Sequence, residues 1–222
     1  MDDMETAIAN VIEEHKLYTG ASKKYLFVKR LLDVALSLIF IVVLSPLLFL
    51  TAALIRIDSP GPVIFSQCRC GLKGRLFRMY KFRSMVVSGE TLMDGLIDKN
   101  DVSGPMFKMK ADPRVTKVGR IIRKTSIDEL PQLINVLKGD MSLVGPRPPL
   151  IKEVARYSPC HYLRLSVKPG MTGLWQATGR NAVDFDEMVR LDLKYIKERS
   201  LWTDLKIITK TIPLLFGDKR AF

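Results

Sequence analysis

The sequence predicts a mostly helical α+β fold: a re-entrant membrane helix hairpin, followed by a small cytosolic domain with a short β-hairpin and interfacial amphipathic helices. Three observations predict it. Residues 31–55 form an almost wholly apolar run with a proline inside it. Basic residues crowd both flanks of that run, which gives both the same preferred membrane face. Beyond it, a short aromatic and cationic alternation gives way to segments with the 3–4 spacing of helices.

Composition bounds the function before any motif does. The 222 residues suffice for one sizeable domain or a domain with an anchor. Lys plus Arg outnumber Asp plus Glu by 35 to 23, a formal charge of +12. That excess asks for an anionic partner: nucleic acid, an anionic bilayer surface or a phosphorylated small molecule. The cysteines are Cys68, Cys70 and Cys160 and the histidines His15 and His161, which gives no four-ligand zinc spacing. Their odd number, without a secretory framework, fits a reducing compartment. No cleavable leader is expected, because some thirty residues of mixed charge precede the apolar run.

Residues 1–24 read as an N-terminal helix or tail with Ile8, Val11 and Ile12 as its apolar positions. Residues 25–57 carry the hairpin. A straight helix over 31–55 would reach roughly 37 Å, enough for a hydrocarbon core of about 30 Å. Pro46 argues for a bend, and Ser45 can cover the backbone groups that the proline frees. Split there, the arms rise only about 22 and 15 Å. Lys23, Lys24, Lys29 and Arg30 precede the run, and Arg56, Arg69, Lys73, Arg75, Arg78, Lys81 and Arg83 follow it. A bent, re-entrant hairpin satisfies both features; a straight span and a buried core helix are the alternatives.

Residues 58–222 form the cytosolic domain. Its first part is a loop rich in Pro and Gly, a strand at 63–65, a turn at 71–74 and a strand at 76–82. Arg69, Lys73 and Arg75 suit a basic surface against anionic headgroups. Lys81 and Arg83 alternate around Phe82, so they share a face and suit a phosphate. A loop with a short helix at 90–97 is expected next, then a helix that begins near Val118 and whose end, 121–124, carries Arg123.

The densest chemistry follows. Asp128 and Glu129 are adjacent acids with Arg123 and Arg147 on either side. Paired carboxylates among arginines suit a magnesium-bound diphosphate, because the hard cation takes oxygen ligands while guanidinium groups neutralise the remaining charge. A plainer reading uses the same residues: Ser126 and Glu129 fit a capping box opening a helix over 126–138, with Leu130, Leu133, Ile134 and Leu137 inward and Gly139 as its stop. Gly145-Pro146-Arg147-Pro148 is stiff and holds one charged side chain. After a helix over 150–157, a glycine-rich stretch ends with Arg180. Helices over 184–200 and 202–216 mix lysines with large apolar residues, suiting a bilayer interface or the domain core equally.

Taken together, Lys29-Arg30 with Asp33, Ser45-Pro46, Ser59 to Pro62 with Phe65 and Gln67, Lys81 to Met85, Asp112 to Arg114, Ser126 to Leu133, Asn135 to Arg147 and Pro169 to Gln176 resemble the bacterial sugar transferases, which are monotopic phosphoglycosyl transferases. The resemblance runs from about Lys24 to the C-terminus. It implies transfer of a sugar 1-phosphate from a UDP-sugar to undecaprenyl phosphate with Mg2+, releasing UMP, as the first membrane step of surface polysaccharide or glycoconjugate synthesis. Carried over, Asp128 is the nucleophile and Glu129 its neighbour, with both at the metal. Lys81, Arg83, Arg123, Arg147 and Arg180 handle phosphates and nucleotide, and Ser45-Pro46 makes the bend. The implied place is the cytoplasmic face of the bacterial inner membrane. Ile127 and Cys70 depart slightly from the family pattern. Larger relatives carry extra membrane helices, so a short member or an excised domain is expected. Motifs around Trp175 resemble members moving galactose or glucose phosphate, and a homodimer stays open. Direct attack by the lipid phosphate in a ternary complex and a non-catalytic basic membrane-surface protein are the rivals. Nucleic acid fits poorly, for want of an aromatic stacking platform.

Overall fold

A computed structural model describes residues 2–14, 20–87, 109, 112–178 and 184–213. The expected helix at 90–97, residue Arg180 and the far end of the last helix lie outside them. Helix α1 (Asp2–Glu14) precedes α2 (Lys23–Val43) and α3 (Ser45–Asp58). An antiparallel hairpin of β1 (Ile64–Cys70) and β2 (Leu76–Phe82) follows, with Phe65 opposite Lys81 and Arg69 opposite Phe77. Next come α4 (Lys117–Lys124), α5 (Gln132–Lys138), β3 (Ser142–Val144), α6 (Ile151–Val154) and α7 (Pro159–Tyr162). Strand β4 (Gly170–Thr172) pairs in parallel with β3, and α8 (Leu174–Thr178), α9 (Phe185–Glu198) and α10 (Leu201–Thr211) complete the described chain.

No single described helix is long and apolar enough to cross a membrane; α2 and α3 reach that threshold only together, and they are bent by 62°. The break falls at Leu44, which leaves Pro46 in the first turn of α3, where a missing N–H costs no helical bond. The Ser45 hydroxyl donates to the Val42 carbonyl at 2.8 Å, covering one group that the break frees. Phe27, Val42, Val43, Phe49 and Ile57 are all more than two-thirds exposed. Their concentration on one helix pair exceeds the scattered apolar exposure of an ordinary water-facing surface. The first arm starts earlier than the apolar run, because the basic residues ahead of it find helical partners in the domain.

Those partners fasten α2 to the domain. Arg30 donates to the Val136 and Leu137 carbonyls at 2.6 and 2.8 Å, capping the C-terminal end of α5 with a cation. Asp33, 5% exposed, accepts from the Ser142 hydroxyl at 3.1 Å and the Leu143 amide at 3.0 Å. Lys29 and Tyr25 both reach the Asp204 carboxylate on α10. The second arm is tied as well: Asp58 accepts from the Val118 amide at 3.0 Å and so caps α4.

Helix α1 is not a free tail, because Ile8 and Ile12 are buried with Cys70, Val154, Tyr157 and Phe185. Burial pushes the Cys70 thiol up to about 11. Behind the hairpin, Arg164 and Asp192 form a fully buried pair at 2.7 Å, with Tyr157 accepting a further bond from Arg164.

The expected helix over 126–138 is corrected. A 3-10 turn covers Ile127–Glu129, and α5 begins only at Gln132. Ser126 takes the left-handed conformation, φ 56°, and Pro131 lacks the N–H that a continuous helix would need. The inward set also changes: Gln132, Leu133, Asn135 and Val136 are buried, while Ile134 is 45% exposed. Asn135 is the reason. Its Nδ2 donates to the Arg78 carbonyl at 2.7 Å and its Oδ1 accepts from the Tyr80 amide at 3.0 Å, so one side-chain amide satisfies the free edge of β2. The 150–157 helix is likewise shortened to α6, followed by α7. Arg69 is buried, not a headgroup-facing surface residue.

Asn135→Leu removes the partner of two part-buried backbone groups, the Arg78 carbonyl and the Tyr80 amide. We expect a stability loss of about 0.5–1.5 kcal/mol for each lost hydrogen bond, read as a lowered thermal midpoint.

Candidate active site

The site is built where α4, the 127–129 turn and the hairpin meet. Thr116 caps α4 by accepting from the Gly119 amide at 2.9 Å, and α4 can lie close because a Cβ on Gly119 would sit 2.0 Å from the Ser84 carbonyl oxygen. That approach brings the end of α4, with Arg123, beside the hairpin. The left-handed Ser126 then reverses the chain, a conformation that costs a non-glycine residue about 1 kcal/mol or more and recurs at functional turns. Its side chain makes no capping hydrogen bond. The capping-box reading therefore fails.

Asp128 is 8% exposed. Burial raises its carboxyl to about 6; Lys81 and Arg123 pull it down and Glu129 pushes it up. Glu129 pairs with Lys81 at 2.6 Å across from β2. Arg123 keeps a buried Nη1 with no hydrogen-bond partner, a donor left for something else. Lys81, Arg123, Asp128 and Glu129 are thus brought together.

Arg83 is not gathered with them, although the alternation put it on the Lys81 face. Strand β2 ends at Phe82, and the Arg83 guanidinium turns to the carbonyls of Ser59, at 2.7 Å, and Pro60. It braces the connection from α3 to β1.

Arg147 stands on the loop after β3. The Gly145 amide donates to Thr172 at 2.8 Å and the Gly170 amide to Pro146 at 2.9 Å. A Cβ on Gly170 would fall 2.0 Å from the Gly145 nitrogen, so both glycines are needed for this approach. Arg147 reaches both Glu153 oxygens at 3.4 Å, while Glu153 also accepts from the Leu150 amide at 2.8 Å. Sequence reading missed Arg69, whose Nη1 donates to the Pro148 carbonyl at 3.0 Å and whose Nη2 donates to Gln67 at 2.8 Å. The signal was there: Arg69, Gln67 and Phe65 alternate on β1, and Phe65 pairs with Lys81.

Asp128 and Glu129 offer hard oxygen donors, and no group of three or more possible metal-ligating side chains occurs among the described residues. Two carboxylates fit Mg2+ held jointly with substrate phosphates rather than in an all-protein cage. Beside them, an apolar cavity of about 150 Å³ is lined by Ile41 and Leu48 of the helix pair, Ile64 and Phe82 of the hairpin, and Leu130, Pro131 and Ile134. A larger cleft of about 460 Å³ opens between the start of α2 and α10 and holds none of the candidate residues.

Residues 24–218 match the bacterial sugar transferase family. The chain belongs to that family. It is 52% identical over 208 residues to the galactosyl transferase CpsE of Streptococcus agalactiae serotype III, covering 91% of this chain and 46% of that protein. Identity is 46% over 206 residues to the undecaprenyl-phosphate galactose phosphotransferase of Salmonella typhimurium, covering 91% and 43%. Against the exopolysaccharide production protein ExoY of Rhizobium meliloti it is 39% over 189 residues, covering 83% and 84%. The chain spans less than half the length of the first two relatives. Family membership turns the clustering of Lys81, Arg123, Asp128 and Glu129 from an isolated arrangement into one with a chemical frame.

Burial holds the Asp128 carboxyl at about 6 in the metal-free protein, so a turnover that depends on its ionisation is expected to decline as the pH drops below that value, with bound Mg2+ moving the limb lower. Lys81→Met removes the charge that favours ionisation, so the limb moves to higher pH; a pH–rate profile of both proteins reads the shift.

Proposed function

We propose that this chain is a phosphoglycosyl transferase that moves a sugar 1-phosphate from a UDP-sugar to undecaprenyl phosphate and releases UMP. The observation that carries it is the buried Asp128 beside the Glu129–Lys81 pair and the unpartnered Arg123 donor, in a bacterial sugar transferase. Two relatives support the substrate classes: one is named an undecaprenyl-phosphate galactose phosphotransferase, and another, from Aeromonas hydrophila, a UDP-N-acetylgalactosamine-undecaprenyl-phosphate N-acetylgalactosaminephosphotransferase.

A carboxylate oxygen of Asp128 attacks the β-phosphorus in line, and the bond to the bridging oxygen breaks, so that UMP leaves with the electron pair. A phosphate oxygen of the lipid then attacks the same phosphorus, displaces Asp128 and leaves a sugar on undecaprenyl diphosphate. Lys81, Arg123 and Arg147 neutralise charge that accumulates on the phosphoryl oxygens and the departing UMP. Asp128 and Glu129 would hold Mg2+, which supplies positive charge to the diphosphate when bound.

The α2–α3 pair serves in this reading as a re-entrant hairpin on the cytoplasmic face of the inner membrane. Its 62° bend, its exposed apolar residues and the basic flanks at both ends support that topology. The cavity between the bend and Leu130 then offers an apolar path for the first part of the polyprenyl chain, leaving its phosphate near Asp128.

Purified protein given Mg2+ and a panel of UDP-sugars, without lipid acceptor, should release about one UMP per chain and gain the mass of one phosphosugar. Asp128→Ala should abolish both. Release only after polyprenyl phosphate is added would replace the covalent route by direct attack, and silence with every sugar would leave a membrane-surface binding protein. Tags at residues 1 and 222 should report the same side of the membrane; opposite sides would make the pair a span.

A further inference from the structure

Arg69 is a buried cation without a carboxylate of its own. It is 7% exposed, forms no ion pair among the described residues, and keeps its Nε buried with no hydrogen-bond partner. A buried charge left unpaired is costly, so its retention calls for an explanation. The nearby acids are already engaged: Glu129 by Lys81 at 2.6 Å, and Glu153 by Arg147 and the Leu150 amide. Arg69 feels the charges of both groups, those of Arg147 and Glu153 and that of Glu129. Burial and the Arg147 charge hold its guanidinium down at about 10, while Glu153 and Glu129 oppose them.

Its hydrogen bonds give the direction of its influence. The Pro148 carbonyl, on the residue following Arg147, accepts from Arg69 Nη1, and the next carbonyl along, Pro149, accepts from the Cys70 amide at 3.0 Å. The end of β1 therefore clamps the peptide that carries Arg147. Gln67, holding Arg69 Nη2 from the same strand face, fixes the guanidinium plane. The contact of Arg147 with Glu153 is long, 3.4 Å, and the Arg147 side chain is 29% exposed.

We infer that Arg69 is a positioning residue for Arg147, holding that guanidinium toward an incoming nucleoside diphosphate by clamping Pro148 and by like-charge repulsion. The inference rests on the phosphoglycosyl transfer reading. Arg69 does not touch the substrate; it keeps Arg147 from settling fully onto Glu153. An anion arriving between the two clusters compensates both guanidinium charges, so the arrangement is more favourable with ligand than without it.

The test is a double-mutant cycle read as UDP affinity in the presence of Mg2+, by calorimetry on the full chain. R69Q and R147A should each weaken UDP binding about tenfold, and R69Q/R147A should bind no more than about twofold worse than R147A alone. Losses that multiply would give Arg69 an independent role and overturn the inference. So would R69Q with a lowered thermal midpoint and unchanged UDP affinity. If R69Q does not fold, R69K takes its place with the same expected and overturning results, because it keeps the charge but lacks the fork that spans Pro148 and Gln67. Binding needs no turnover, which separates the two readings. A wild-type chain that binds UDP but releases no UMP from any UDP-sugar sinks the transfer and leaves the cycle decisive, whereas one that binds no UDP sinks both.

Discussion

Arg30 and Asp33, three residues apart on α2, make the contacts on which the rest of the arrangement depends. One caps the carbonyl end of α5 and the other binds the start of β3 through a hydroxyl and an amide. Residues three apart lie on the same face of a helix, so one face of α2 grips two different elements of the domain. Each joins a charge to polar groups that are buried around Asp33 and part-buried around Arg30, where such bonds are stronger than at a wet surface. The helix pair is therefore fastened to the domain rather than loosely tethered to it. That fastening gives the cavity at Leu130 and Pro131 a wall contributed by Ile41 and Leu48.

A second constraint works in the opposite direction, from the domain toward the carboxylates. Asn135 ties α5 to the edge of β2, and Lys81 on β2 reaches Glu129. The 127–129 turn is thus held at its far end by α5, at its near end by the left-handed Ser126, and across its face by the hairpin. A buried Asp128 among three charged neighbours follows from that enclosure. Burial alone would keep the carboxyl neutral; Lys81 and Arg123 bring it back within reach of ionisation near neutrality.

Some of this was legible from residue types and spacing. The bend could be read because a proline inside an apolar run has few tolerable places, and the hairpin because alternation and a glycine turn are local signals. The pairing of Asp128 with Glu129 among basic residues was likewise visible in one stretch. Arg69 was legible only in part: its alternation with Gln67 and Phe65 puts it on the Lys81 face, but a strand arginine reads as surface until its partner at Pro148, 79 residues away, is known. Arg83 misled for a related reason: alternation holds only while the strand lasts, and β2 stops one residue earlier. The capping-box pattern at Ser126 and Glu129 was a true local preference, overridden by Pro131 and by the Lys81 contact.

The sequence by itself determined the apolar helix pair and its break, the two-strand hairpin, the acidic pair and the family to which the chain belongs. Each is encoded within one short window, by periodicity, by proline or by residue identity in order. Only the tertiary structure decided that α1 belongs to the core, that β3 and β4 pair in parallel, and that α5 starts at Gln132. It also decided which cations face the carboxylates. Those outcomes depend on contacts between residues far apart in the chain, and a charge or an amide reveals its partner only once packing has brought the two within hydrogen-bond distance.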